Sequence, residues 1–271
     1  MKPFIGFITL FAMSAFAATY PSYQYIYADR SGTPVWEISR AMPHDIFTFV
    51  RIKYNSWGSR GNNRWAIDTP DADINLSFRL QQLTSLKTAT EGLVLELTDP
   101  RLFDYPFIYM VEPGRLEFTD EEVPILRKYL LNGGFLMMDD NWGLDEYENF
   151  HQQLKRVFPE DKYEPQELPL EHPIFHCVFD LKEKPQVPGI GWAQRGYHYE
   201  PRPNTPEDDG SQVMFKGIFD DKGRMMVIIC HNTDNGDGWE REGDDVNYFK
   251  EYSEPKAYPI GINIIYYCMT H

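Results

Sequence analysis

The chain has 271 residues, 42% of them hydrophobic and 15% aromatic, which is enough for one large core. Its formal charge is −15, from 41 acidic and 26 basic side chains with no Lys/Arg cluster, and this excludes the basic patches that nucleic-acid binding needs. Three cysteines with no CxxC pair argue against a structural zinc site. One disulfide with a free thiol, or three buried thiols, are both open to Cys177, Cys230 and Cys268.

The first residues read as an export signal rather than as part of the domain. Lys2 precedes the apolar run FIGFITLFAMSAFA, which is too short for a comfortable membrane span, and Ala15-Phe16-Ala17 supplies the small residues a signal peptidase reads. The layout predicts a signal peptide over residues 1–17, an N-terminal extension over 18–45, and a single α/β domain over 46–271. The mature protein is then expected to be exported, periplasmic or extracellular, with no later stretch of membrane-spanning length.

From Asp45 onward the chain alternates between two periods. IFTFVRIKY (46–54) reads as a strand, and PDADINLSFRLQQLTSL carries Leu76, Leu80 and Leu83 on one helical face. LVLEL (93–97) and PFIYMV (106–111) read as short strands. Thr119 with Glu122 forms the signature of a capping box, Val123, Leu126 and Leu130 line the helix that follows, and Gly133 marks its end. FLMMD (135–139) predicts a buried strand and LDEYENFHQQLKRVF (144–158) another helix. The rhythm is that of an open α/β sheet. The second half reads as extra strands at IFHCVF (174–179), VMFKGIF (213–219) and MMVIIC (225–230), long Pro-rich and charged loops, and a helix around 258–269.

Ligands in open α/β sheets bind beyond the carboxyl ends of the strands. The candidates are therefore Asn55 and Trp57, Glu112, the pair Asp139-Asp140 with Asn141 and Trp142, and His231 and Asp234. Asp139 and Asp140 suit general acid/base work or a divalent cation, and equally suit a helix cap facing solvent. Neighbours on a strand point to opposite faces, so both enter one site only where the strand has already ended. His172, in LEHPIF, joins the pair only if the fold brings them together. Cys230 lacks the flanking glycines of a nucleophile elbow and reads as a buried inert thiol. NTDNGDG (232–238) is a weak echo of a calcium loop, without its terminal glutamate in register. No G-x-G-x-x-G or Walker motif is present, so no cofactor is established by the sequence, and a divalent metal is compatible with the paired carboxylates.

Taken together, FTFVRIKYN, PDADINLSFRLQQLTSL, LFDYPFIYM, LRKYLLNGGFLMMDD, EHPIF and GINIIYYCMTH resemble the bacterial family catalogued as domain of unknown function 4159. That family is similar in fold to the class I glutamine amidotransferase-like group, which includes trehalose-utilisation-like proteins. The resemblance implies an open, mostly parallel flavodoxin-like sheet with helices on both faces and long loop insertions in the second half. The group's cysteine nucleophile between glycines is absent here, so the resemblance implies a fold without its chemistry.

Two functions follow as expectations. The first is an exported, non-catalytic module that binds an unknown small molecule, carbohydrate or protein at its strand tips. The second is a hydrolase using Asp139 and Asp140 with or without a divalent metal, for which Trp57, Trp65, Trp142, Trp192 and Trp239 suggest a carbohydrate substrate.

Overall fold

The computed structural model describes residues 33–38, 45–58, 61–203 and 207–271. The leader-like residues 1–17 and most of the 18–45 extension lie outside the described residues. The seven strands of the central sheet are β1 (Val50–Ile52), β2 (Leu93–Leu95), β3 (Phe107–Val111), β4 (Phe135–Asn141), β5 (Gln166–Glu167), β6 (Met214–Phe219) and β7 (Met225–His231). Their spatial order is β2-β1-β3-β4-β7-β6-β5. The five strands from β2 to β7 pair in parallel, whereas β6 and β5 pair antiparallel at one edge.

Alternation along the strands divides the core between the two faces of the sheet. Phe107, Tyr109, Val111, Phe135 and Met137 point to one side, where helices α1 (Asp71–Leu83) and α5 (Tyr258–Thr270) cover them with Leu76, Leu80, Ile260 and Ile264. Ile108, Met110, Leu136 and Met138 point to the other side, beneath α2 (Glu122–Leu131) and α3 (Gly143–Val157), which contribute Leu126, Leu130, Phe150 and Leu154. A short helix, α4 (Asn235–Glu240), follows β7 directly. Among the described residues no helix is long and apolar enough to cross a membrane.

The local signals that set these elements operate as expected. Thr119 Oγ1 accepts from the Glu122 backbone N–H at 3.2 Å, while the Glu122 carboxylate accepts from the Thr119 N–H at 2.7 Å. Gly133 ends α2 at φ 107°, a conformation that costs a glycine little. Two expectations need correction. The 46–54 stretch is not one strand: Ile46–Phe47 pairs with Lys87–Thr88 in a separate two-stranded ladder, and only Val50–Ile52 joins the central sheet. IFHCVF is not a strand either, because Pro173–Phe175 forms a 3₁₀ turn and the Asn263 side chain accepts from the Val178 and Phe179 N–H groups that a ladder would otherwise use.

One buried charge organises the loop between β1 and α1. Arg51, fully buried on β1, places its guanidinium against Asp73 of α1 at 2.5 Å and donates to the carbonyls of Trp65 (3.1 Å) and Ile67 (2.9 Å). Burial alone would lower its pKa, but the charge and hydrogen bonds of Asp73 outweigh that and raise it. Removing one partner strands the other in the interior. Arg51→Met should therefore cost about 3–5 kcal/mol in urea unfolding, and the double variant Arg51→Met/Asp73→Asn should recover part of that loss. A single-variant loss below about 1 kcal/mol would show that the pair does not hold the loop.

Candidate functional site

The carboxyl ends of β1, β3, β4 and β7 open into a polar cleft of about 560 Å³. Each wall comes from a different connection. The loop before α1 supplies Arg64 and Asp68; the end of β3 supplies Glu112; β4 and α3 supply Asp140 and Glu146. Asp234, Asp237 and Arg241 come from the segment after β7. The long second-half loop supplies Gly189, Ile190, Trp192, Glu200 and Arg202.

The backbone here is held in a costly shape. Among the described residues, the non-glycine residues with positive φ are Asp68 (61°), Glu112 (47°), Asp140 (55°) and Asn232 (60°). Three of them line the cleft, and the fourth follows β7 at the same edge. Such conformations cost about 1 kcal/mol or more each and tend to persist where surrounding structure enforces them. At Asp140 the cause is visible in the register. Ile229 pairs with Met138 and His231 with Asn141, so β4 carries one extra residue across that interval. This bulge separates the adjacent aspartates. Asp139 stays on the face of Tyr109, fully buried, accepting from Tyr109 Oη (3.0 Å), Asn235 Nδ2 (2.8 Å) and the Gly236 N–H (3.0 Å). Asp140 turns into the cleft, with Oδ1 accepting from Trp142 Nε1 at 2.8 Å.

Seven carboxyl groups line the cleft against three arginines, and the arginines are already engaged. Arg64 pairs with Glu112 (2.9 Å), Arg241 with Asp237 (2.9 Å), and Arg202 lies 3.6 Å from both Glu146 and Glu200. Among the described residues no arginine or lysine forms an ion pair with Asp68, Asp140 or Asp234. Asp140, Glu200 and Asp234 each bring one oxygen within 4.8 Å of the others, and Asp68, Asp237 and Glu240 form a second such trio. Burial first, and then neighbouring carboxylates, push Asp68, Asp140 and Asp234 well above the usual aspartate range. Burial pushes Glu200 and Glu240 up to about 7. Asp139 is raised only to about 6, because its hydrogen bonds offset part of the burial.

The structure brings Glu112, Asp140 and Asp234 together in the cleft, with Trp142 buried behind Asp140. Asn141 is buried and donates to the Cys230 carbonyl at 3.0 Å; buried His231 stacks on Tyr147 and lies 3.2 Å from both the Gly143 carbonyl and Asp208. Asn55 sits in a short antiparallel pair with Glu117, and exposed Trp57 lies under Arg115, both outside the lining. His172 caps the Pro173–Phe175 turn beside Phe219, at the opposite end of the sheet, so it does not join Asp140. NTDNGDG is no calcium loop but the start of α4, with Asp234 capping the Asp237 N–H at 2.8 Å. The sequence reading missed Asp68, Glu200, Arg202 and Glu240, and met Asp237 only within the calcium-loop echo of NTDNGDG. Asp68 stands just before a helix that follows a strand, which is a usable signal; Glu200 and Arg202 lie in a loop without periodicity.

These shifts set a pH dependence with a definite sign. Glu200 and Glu240 hold protons up to about 7 in the folded chain, whereas unfolded they release them near 4.5. Their stabilising contribution is full below 4.5 and is lost as pH rises through 7. His231, lowered from 6.5 to about 4 by burial, acts oppositely between those values, as a single group against several. In chelator the protein should melt several degrees higher at pH 5.5 than at pH 8. An equal or higher midpoint at pH 8 would contradict the crowding of carboxylates.

No curated protein matches the sequence significantly. Residues 48–269 match the family described as Domain of unknown function (DUF4159), which covers the sheet, its helices and every cleft residue named above, and the chain belongs to that family.

Proposed function

We propose that the protein is an exported binding module whose cleft takes a hydroxyl-rich ligand of the carbohydrate class. The observation that carries this reading is the make-up of the walls, where carboxylates, arginines and the half-buried Trp192 alternate. Sugar hydroxyls both donate and accept, so they satisfy both kinds of group, and a ring face packs on indole. A polyamine would meet Arg64, Arg202 and Arg241, and an anion would meet the carboxylates. The leader-like residues 1–17 support the exported location. The parallel β2-β1-β3-β4 order supports the finer flavodoxin-like, glutamine amidotransferase-like reading of the fold. Amidotransferase chemistry has no such support: Cys230 is buried within β7 with its thiol pushed well up, and neither Cys177 nor Cys268 lines the cleft.

A hydrolase is the second reading, favoured by one feature. Three carboxyl groups as close as Asp140, Glu200 and Asp234 cannot all ionise, so near neutrality a proton donor stands beside a carboxylate. Glu200, at about 7, is the donor in this reading, and Asp139 orders the chain behind Asp140.

Saturation-transfer NMR with maltotriose, cellotriose and N-acetylglucosamine tests the first reading. Asp140→Asn and Trp192→Ala should weaken binding of the sugar that responds at least about tenfold, while Cys230→Ala leaves it unchanged. Silence from all three sugars, or binding indifferent to both cleft variants, would count against it. Release of p-nitrophenol from the matching aryl glycoside, lost about a hundredfold in Glu200→Gln, would establish the second.

A further inference from the structure

The acid trio at the α1 side of the cleft differs from the other in one respect. Asp68 is 6% exposed, and its Oδ2 is buried with no hydrogen-bond donor in reach among the described residues. An unmatched buried carboxylate oxygen is costly and rare. Asp237 accepts from Arg241 Nε and from the Ile190 N–H, and Asp139 accepts from three donors; Glu240 Oε2 also lacks a hydrogen bond, but unlike Asp68 it has an arginine, Arg241, 2.7 Å away.

The surroundings keep the orphaned oxygen in place. Arg51 fixes the carbonyls of Trp65 and Ile67, the residues leading into Asp68. The left-handed backbone at Asp68 aims the side chain back toward α4. Across from it stands Gly236, where an added Cβ would collide with Asp68 Oδ2, so the absence of a side chain leaves the oxygen its room. One oxygen each of Asp68, Asp237 and Glu240 then lies within 4.8 Å of the others. Arg241 neutralises part of this charge, pairing with Asp237 at 2.9 Å and Glu240 at 2.7 Å, but it forms no ion pair with Asp68.

We propose that Asp68, Asp237 and Glu240 bind one hard divalent cation of the calcium class, with Asp68 Oδ2 as its buried anchor. The donors are all carboxylate oxygens, with no thiolate or imidazole among them, which selects calcium-like ions over softer metals. Three protein donors leave coordination positions for water or for ligand hydroxyls from the cleft. The cation site stands apart from the carbohydrate reading, since it needs no sugar to form.

The test uses the full chain, stripped with chelator and free of sugar, titrated with calcium chloride by calorimetry and followed by thermal melting. The wild type should bind calcium, and its midpoint should rise by roughly 5 °C or more at a hundredfold excess over Kd. Asp68→Asn should lose at least about tenfold in affinity while melting no lower than the wild type in chelator, since it removes an unmatched charge. Glu240→Gln, on the half-exposed end of α4, should weaken calcium in the same direction, and Asp140→Asn should leave the affinity within about threefold. No heat and no midpoint shift in the wild type would overturn the proposal. So would affinity that survives both Asp68→Asn and Glu240→Gln, or that disappears in Asp140→Asn alone, which would put the ion at the other trio. Because no arm contains sugar, loss of the cation site leaves the carbohydrate reading standing, and the reverse.

Discussion

Repulsion among carboxyl groups is the constraint to which the carboxyl edge of this sheet is built. A parallel sheet delivers its loops to one edge, and here those loops bring seven acids around one cleft with three arginines to offset them. Left alone, such a group would swing apart into water. It is held by a bulge at Asp140, by left-handed backbone at Asp68 and Glu112, and by the buried Arg51–Asp73 pair that anchors the loop into α1. Glycine is part of the same solution: at Gly189 a side chain would press against Glu200 at 2.8 Å and approach Asp234 at 3.4 Å. Strain and uncompensated charge are therefore concentrated at one end, while the apolar layers on both faces supply the stability that tolerates them.

The two acid trios divide the labour that this arrangement allows. Asp140, Glu200 and Asp234 line the open cleft together with Trp192 and Arg202, and can exchange protons or hydrogen bonds with a ligand. Asp68, Asp237 and Glu240 lie against α4, where the unmatched Asp68 oxygen calls for a positive partner. A cation there would also relieve Asp234, whose raised pKa owes part of its shift to Asp68. A cation at the second trio is thus expected to ease ionisation of Asp234 through charge, a modest coupling that needs no movement of the sheet.

The frame of the fold was largely legible in the sequence because it rests on local, periodic signals. The Thr119–Glu122 capping box, Gly133 and the apolar run into Asp139 behave as their residue types require. Strand boundaries were less so: the 46–54 stretch divides because its two halves follow different partners, and IFHCVF yields its ladder groups to Asn263, which lies far along the chain. At the site, Glu112 and Asp234 follow strands and Asp140 lies in the last residues of β4, so all three were within reach of the strand-tip rule. The separate fates of Asp139 and Asp140 were not, since they depend on a single extra residue relative to β7, which only the pairing reveals. Glu200 and Arg202 arrive by tertiary folding of a long loop, and no spacing announces them.

The most direct measurement is diffraction from crystals grown in chelator at neutral pH and then soaked in terbium, a calcium-like ion with strong anomalous scattering. If the crowded carboxylates of this edge are built to hold a hard cation, the anomalous map will show a peak bounded by Asp68, Asp237 and Glu240, with the sheet unchanged. An empty cleft, or peaks only on the acidic outer surface, would contradict it.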